Sequence, residues 1–433
     1  MASIIIGSVP IHGHVTPLLG VARHFAARGD DVRFLTGARF ASAVEAAGAE
    51  HLPLPPEADY DDRQDWSRVF PERARLKGTK AIAFDLENVF IRPGRGQYDA
   101  LLAAHAARAA DVVLVDPGFS GGAYFASLER RPPIVVCGVV PLPVGSRDTA
   151  PFGMGLPPAR ILNRARNRIL AALADRIMAG PEAVAQQAHQ ELHGRPLPGS
   201  VMDWMGRAEA IAQFTVPAFE YPRSDAPPNL HFVGPQQVSA SSIPTPDWWH
   251  ELDGSRPVVH LTQGTIANRD WTQVVEPSLT ALADEDVLVV VATGGRPLDT
   301  LPPLPANARA AEMLPYDELL PRTDVFVTNG GYGGVQEALR HGVPVVATGG
   351  KEDKPEVGAR VAWSGIGRRI RSDRPSPRQM RRAIRAVLSV ERYRARAREL
   401  AEEVAAAPGL AGVEQIVVGL ASGGRGDRAT GAD

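Results

Sequence analysis

The stretch Val325-Phe326-Val327-Thr328-Asn329-Gly330-Gly331-Tyr332-Gly333-Gly334-Val335-Gln336-Glu337 joins an apolar run, a loop with four glycines and the first turns of an amphipathic helix. A helix start leaves backbone N–H groups without intrahelical partners, and the helix dipole adds positive potential at the same end. Glycines at 330, 331, 333 and 334 would let that backbone approach an anion closely, the composition of a phosphate cradle; the plain alternative is a tight packing turn. The spacing fits neither the G-x-G-x-x-G dinucleotide fingerprint nor a Walker A loop, which speaks against nicotinamide and ATP. Thr262-Gln263-Gly264-Thr265 follows the apolar run from Val258 to Leu261, so Gly264 and Thr265 would face the same sheet edge. After a third apolar run comes Thr348-Gly349-Gly350-Lys351-Glu352-Asp353-Lys354-Pro355-Glu356. The chain has four lysines against 43 arginines, and two of the four fall here, which marks Lys351 or Lys354 as specifically required unless this is simply a solvated loop.

Near the N-terminus, Pro10-Ile11-His12-Gly13-His14-Val15-Thr16-Pro17 sits between an apolar run and a helical pattern. A histidine at such a sheet edge can take a proton near neutral pH when a carboxylate holds its tautomer. Asp116 closes the apolar run from Val112 to Val115 at what should be the same edge and is the natural partner. His12 and His14 also form an H-x-H pair, but no third ligand clusters with them, so no metal is expected.

These residues need elements to hold them. Short β-branched runs alternate with helical spacing through both halves of the chain, at 4–8, 31–36, 112–115 and 134–136, then at 258–261, 287–292, 325–328 and 343–347. Near-continuous apolar strands separated by helices imply doubly wound parallel sheets in an α/β fold. With 433 residues, two or three domains are possible; the expected division is a first α/β half to 221, a proline-rich linker over 222–257, a second half over 258–421 and a disordered tail over 422–433. Between 53 and 100 the alternation fades, and Trp66, Phe70, Phe84 and Phe90 lie in what reads as a long insertion that either carries binding function or is merely anchored by its aromatics. A formal charge of −2 argues against nucleic acid as partner, and the single Cys137 against a disulfide framework. No basic region precedes the first apolar run, and no apolar stretch reaches the ~18 residues of a membrane span, so the expectation is a soluble, cytoplasmic chain with no membrane partner.

The segments Gly13-His14-Val15-Thr16-Pro17 and Arg28-Gly29-Asp30-Asp31-Val32, together with Asn329 to Glu337, His341-Gly342-Val343-Pro344-Val345, Asp353-Lys354-Pro355-Glu356 and Gly365-Ile366-Gly367, resemble the signatures of family 1 glycosyltransferases with the GT-B fold. That family includes bacterial macrolide and other natural-product enzymes, and the resemblance covers nearly the whole chain. It implies two Rossmann-like domains facing a cleft, the first binding a lipophilic acceptor and the second a nucleotide sugar, UDP-glucose or a dTDP-sugar, as co-substrate and with no other cofactor. It places the catalytic base on His14 rather than His12, with Asp116 orienting it, and an inverting displacement at the anomeric carbon. Backbone at Gly331, Gly333 and Gly334 with Gly264, Thr265 and Asn329 would meet the diphosphate. Glu337 matches the ribose-binding residue, Met313 and Leu314 the base-contacting segment, and Asp353 and Lys354 the pair that holds sugar hydroxyls.

Three departures stand out: Asn329 where the family usually has histidine, Gly334 for a frequent serine, and Lys354 for the usual glutamine. The Asp59-Tyr60-Asp61 triplet resembles the metal-binding motif of the other main glycosyltransferase fold but lies in the acceptor half and reads as a solvated turn. Candidate acceptor residues are Trp66, Phe70, Phe84, Phe90 and Phe119. The expected activity is transfer of a hexose to a hydroxyl of a polyketide, macrolide, ansamycin or flavonoid, in antibiotic biosynthesis or inactivation, by a monomer or homodimer. The alternatives are a catalytically silent activator of a partner enzyme, which should have lost His14 or Asp116, and a nucleotide-sugar epimerase, which would need further acid–base groups.

Overall fold

The computed structural model describes residues 1–64, 69–236, 243–266 and 268–430, the last eight by backbone alone. Among these, the first sheet contains β1 (Ser3–Gly7), β2 (Asp31–Thr36), β3 (Glu50–Pro53), β4 (Val112–Val115), β5 (Ile134–Gly138), β6 (Ala210–Gln213) and β7 (Leu230–Phe232), in the order β3-β2-β1-β4-β5-β6-β7. The second contains β8 (Val258–Thr262), β9 (Leu288–Ala292), β10 (Ala308–Ala311), β11 (Val325–Thr328), β12 (Val345–Ala347) and β13 (Gly367–Arg369), in the order β10-β9-β8-β11-β12-β13. All neighbours are parallel.

Parallel strands covered on both faces must be apolar on both, and β1 shows how the pleat divides them. Ile4 and Ile6 pack with Leu18, Phe25 and Leu114 on one side, while Ile5 packs with Leu101, Val113 and Phe119 on the other. In the second sheet, Val325 and Val327 meet Leu279 and Ile384, and Phe326 meets Val335, Leu339 and Val357. In each sheet the order reverses direction next to the first strand, between β1 and β4 and between β8 and β11. Such a switch point opens a crevice beyond the carboxyl ends of the two strands, where ligands bind in open α/β sheets.

Three features differ from the sequence expectation. β7 lies within the expected linker and pairs with β6, Ile211 opposite Leu230; three residues with His231 in the middle give too short a pattern to read. The expected end of the second half at 421, with a disordered tail after it, also differs as far as 430 (431–433 lie outside the described residues): the last helix runs Gly409–Thr430. No proline interrupts that stretch. This helix returns to the first sheet, where Val413, Val417 and Ala421 join the cluster of Leu18 and Phe25 and Glu414 pairs with His24 at 2.7 Å. Part of Glu391–Ser422 is long and apolar enough, by composition, to cross a membrane, but the stretch is two helices, Glu391–Ala406 and Gly409–Thr430, and the first sheet buries Val413, Val417 and Ala421 of the second. Lastly, the expected irregular insertion contains a helix at Thr79–Asp85, a wider π-type turn at Leu86–Ile91 and a helix at Gly94–Ala107.

Buried charge joins the two halves. Arg360, on the helix Lys354–Ser364, donates from Nη2 to Glu220 Oε1 at 2.6 Å and from Nη1 to Glu356 Oε2 at 2.7 Å. Glu356 Oε1 in turn accepts the N–H groups of Gly153 and Gly155, at 3.0 and 2.6 Å, from the loop after β5.

Candidate active site

Asp116 is the first residue past β4 and is fully buried. Its Oδ2 accepts Val9 N–H at 2.8 Å, and its Oδ1 accepts Gly118 N–H at 2.6 Å and His14 Nδ1–H at 2.8 Å. His14 sits in the first turn of the helix His12–Ala27 that follows β1, so the switch point of the first sheet brings the two residues together. With Nδ1–H given to the carboxylate, Nε2 is left as the basic nitrogen. Burial alone would lower the imidazole's pKa, but the charge and hydrogen bond of Asp116, with smaller help from Asp353 and Asp62, leave it raised. His12 goes the other way: burial lowers it, Asp62 opposes and Arg39 adds to the lowering. The geometry thus separates two histidines that composition does not.

The aromatic candidates divide. Phe90 lies beside the base, its ring centroid 6.3 Å from that of His14, and Phe70 meets Phe84 edge-on at 5.7 Å. Trp66 lies outside the described residues. Phe119 does not line the crevice: it is fully buried in the core, its ring within 3.1–3.2 Å of where a Cβ on Gly7 would stand, so its expected acceptor role is corrected to packing. The Asp59–Asp62 stretch is not a solvated turn. Asp59 accepts Ala38 N–H at 3.0 Å, Asp61 pairs with Arg39 and Arg63, and Asp62 accepts His12 N–H at 2.7 Å. Asp62 therefore holds the start of the helix that carries His14, a role hidden in the sequence because the two residues His12 and Asp62 stand 50 positions apart, with β2 and β3 between them. Tyr60, whose hydroxyl donates to Val89 O at 3.3 Å, is a second residue close to Asp116 that sequence reasoning passed over.

The second sheet ends in paired turns. Thr262 of β8 stands opposite Thr328 of β11, and each hydroxyl accepts the N–H two residues on, from Gly264 at 3.1 Å and Gly330 at 3.2 Å. Gly330 has φ +92°, a conformation reserved for glycine, and a Cβ there would meet Thr348 O at 2.9 Å. The helix Tyr332–Arg340 then starts with no side-chain cap. Around Gly333 there is nothing within 4 Å of an added Cβ, and around Gly331 only Asn329 Oδ1 at 4.0 Å, so the turn presents bare backbone to open space. Gly264 and Thr265 are exposed beside it. Asn329 is buried and its Nδ2 donates to Gln263 O at 2.9 Å, tying the turn after β11 to the turn after β8.

Around this turn, Glu337 has its pKa raised to about 7, chiefly by burial, with Arg340 opposing and Asp317 adding. Met313 is exposed and Leu314 is buried with Leu288, Val290 and Leu319. Asp353 is raised to about 6 by burial and by Glu352, and it and His14 each feel the other's charge. That coupling sets the end of the second sheet's loop near the base of the first. Lys354 is buried along Gly330 and Gly349, with Nζ bonded to Glu352 Oε2 at 2.5 Å. Asp317, Glu337 and His341 bring possible ligand atoms within 4.8 Å of one another, but Arg340 pairs with both carboxylates and supplies the cation itself.

Comparisons with known proteins give the family. Residues 276–420 match the family model for the erythromycin biosynthesis protein CIII-like C-terminal domain. The chain is 41% identical to 4'-demethylrebeccamycin synthase of Lentzea aerocolonigenes over 97% of this chain and 99% of that protein. It is 34% identical to UDP-glycosyltransferase 2 of Phaeomoniella chlamydospora over 97% and 96%. Among solved structures, the glycotransferase of kitacinnamycin superposes with a TM-score of 0.73 at 22% identity, covering 97% of this chain and 98% of that one. Glycosyltransferase VinC, solved in complex with dTDP, superposes with a TM-score of 0.64 at 20% identity, covering 97% and 99%. With its two doubly wound sheets, the chain belongs to the family 1 glycosyltransferases of the GT-B fold, natural-product enzymes that use a nucleotide sugar as co-substrate.

Proposed function

We propose that this enzyme moves glucose from UDP-glucose to a hydroxyl of a lipophilic polyketide, macrolide, ansamycin or flavonoid, with inversion at the anomeric carbon. The observation that carries the reading is the buried Asp116–His14 pair, 2.8 Å apart, in electrostatic contact with Asp353 from the other sheet. His14 Nε2 takes the proton of the acceptor hydroxyl as its oxygen bonds to the anomeric carbon. The bond from that carbon to the β-phosphate oxygen breaks, and its electron pair leaves with UDP. Asp116 stabilises the resulting imidazolium, and a positioned base of this kind contributes roughly 10² to 10⁴-fold. The leaving diphosphate would meet the N–H groups at Gly331, Gly333 and Gly334 with Thr265, donors already aimed before the reaction starts. Glu337 would hold the ribose, Met313 and Leu314 the base, and Asp353 the sugar hydroxyls. Phe70, Phe84 and Phe90 would line the acceptor side. UDP is favoured over dTDP by relatives such as UDP-glucosyltransferase 1 of Beauveria bassiana, 33% identical over 90% of this chain.

The test is a cross of UDP-glucose and dTDP-glucose with a panel of hydroxylated aromatics and macrolides, read by mass spectrometry. A hexose added from UDP-glucose supports the reading. Transfer only from dTDP-glucose corrects the donor, and consumption of the nucleotide sugar with no glycosylated product contradicts it.

A further inference from the structure

The helix Asn163–His193 is poorly covered over its first half: between 163 and 180 only Asn167 is buried. Its outward face is apolar where a solvent face should be polar. Ile169 and Leu173, one turn apart, are 72% and 51% exposed, and Ile161 and Leu162 just before the helix are 80% and 77% exposed. Leu162 is held at φ 52°, a left-handed conformation that bulky side chains rarely adopt. Ile82, on the adjoining helix Thr79–Asp85, is also exposed.

The charge on this surface is one-sided. Residues 160–180 carry five arginines against the single Asp175, on a chain whose net charge is −2. Arg164 is paired with Asp148 at 2.9 Å and Arg166 bonds Asn163 and Asn167, so the exposed Arg160, Arg168 and Arg176 carry the charge of the face. Apolar tips flanked by long cationic side chains, with Asp148 and Asp175 as the acids beside them, make the pattern of a helix lying in a membrane interface: the tips enter the acyl boundary and the guanidinium groups of Arg160, Arg168 and Arg176 reach the headgroups. A second copy of the chain would set this arginine-rich face against itself, and like charges oppose that pairing.

We propose that this face docks the enzyme peripherally on an anionic lipid surface. Each cationic side chain near such a surface adds to the attraction, within a Debye length, and the exposed isoleucines and leucines add the apolar part. Phe84 lies two residues further along the same short helix as Ile82, on its other side, so docking brings the proposed acceptor wall within about one helix diameter (~10 Å) of the lipid boundary, where lipophilic acceptors concentrate. That consequence rests on the acceptor reading above; the docking itself does not.

Flotation of the full chain with vesicles of phosphatidylglycerol mixed with phosphatidylcholine, compared with phosphatidylcholine alone, tests the proposal. The wild type should float with the anionic vesicles and lose that binding in high salt. Ile169→Ser/Leu173→Ser and Arg168→Glu/Arg176→Glu should each lower partitioning about tenfold or more, with circular dichroism unchanged. Arg378→Glu/Arg382→Glu, on the exposed face of the helix Pro377–Ser389, should stay within about twofold of wild type, because general basicity is not the cause. The proposal is overturned by absence of binding to anionic vesicles, by equal binding of the face variants, or by an equal loss in the 378/382 variant. A vesicle-independent dimer abolished by Ile169→Ser/Leu173→Ser would also overturn it, by showing that a second copy covers the face.

Discussion

Asp116 fixes His14 at Nδ1, so one carboxylate sets both the tautomer and the pH at which Nε2 is free to accept a proton. Activity should therefore fall as pH drops through the raised His14 value. In Asp116→Asn the carboxylate's charge is gone, the imidazole titrates lower, and the acid limb of kcat/KM should move to lower pH while its plateau drops about 10²-fold or more. A limb that stays in place would show that Asp116 does not control this titration. Glu337 offers a different test through stability. Its folded value of about 7 lies above that of a free carboxyl, so stability is fully present below the unfolded value and declines as pH rises toward 7. Glu337→Gln should remove this slope and stabilise the protein above pH ~7 by on the order of 2 kcal/mol, measured by urea unfolding, while weakening UDP binding. Asp116 was legible because it ends an apolar strand. Phe119 was misjudged because an aromatic near a strand end can point into the core or the crevice, and spacing does not say which.

At the scale of elements, the strand–turn–helix from β11 carries two kinds of glycine. Gly330 is required by its positive φ and by Thr348 O, so Gly330→Ala should cost roughly 1–2 kcal/mol in denaturant unfolding. Gly333 has open space and an ordinary backbone. Gly333→Ala should thus leave stability unchanged, within about 0.5 kcal/mol, but reduce UDP affinity about tenfold by filling the cradle; equal UDP affinity would make the turn a packing feature after all. The sequence carried this turn in its glycine spacing. It gave no sign of the ion network, because Glu220 and Arg360 stand 140 residues apart. Arg360→Met takes the shared cation from two buried carboxylates, leaving Glu220 with Arg223 at 3.3 Å and Glu356 with backbone N–H groups, and should cost about 3 kcal/mol, whereas Arg360→Met combined with Glu220→Gln and Glu356→Gln should cost less.

For the whole molecule, alternating apolar strands and helices revealed two doubly wound sheets, and the two switch points then put the strand-end candidates at two crevice walls. The crossing back of the last helix escaped, since a helix's periodicity shows that it has a buried face but not which sheet buries it. Val413→Asp should lower the melting temperature by placing a charge against Leu18 and Phe25 in the first half's core. The central claim is a division of labour between walls: His14 moves the proton, and the glycine turn holds the diphosphate. It is tested most directly by measuring turnover and UDP affinity, by calorimetry, on the same preparation of His14→Ala. The account predicts turnover lowered at least about 10²-fold with UDP affinity within about twofold of wild type. Unchanged turnover, or a collapse of UDP binding alongside it, would contradict the account.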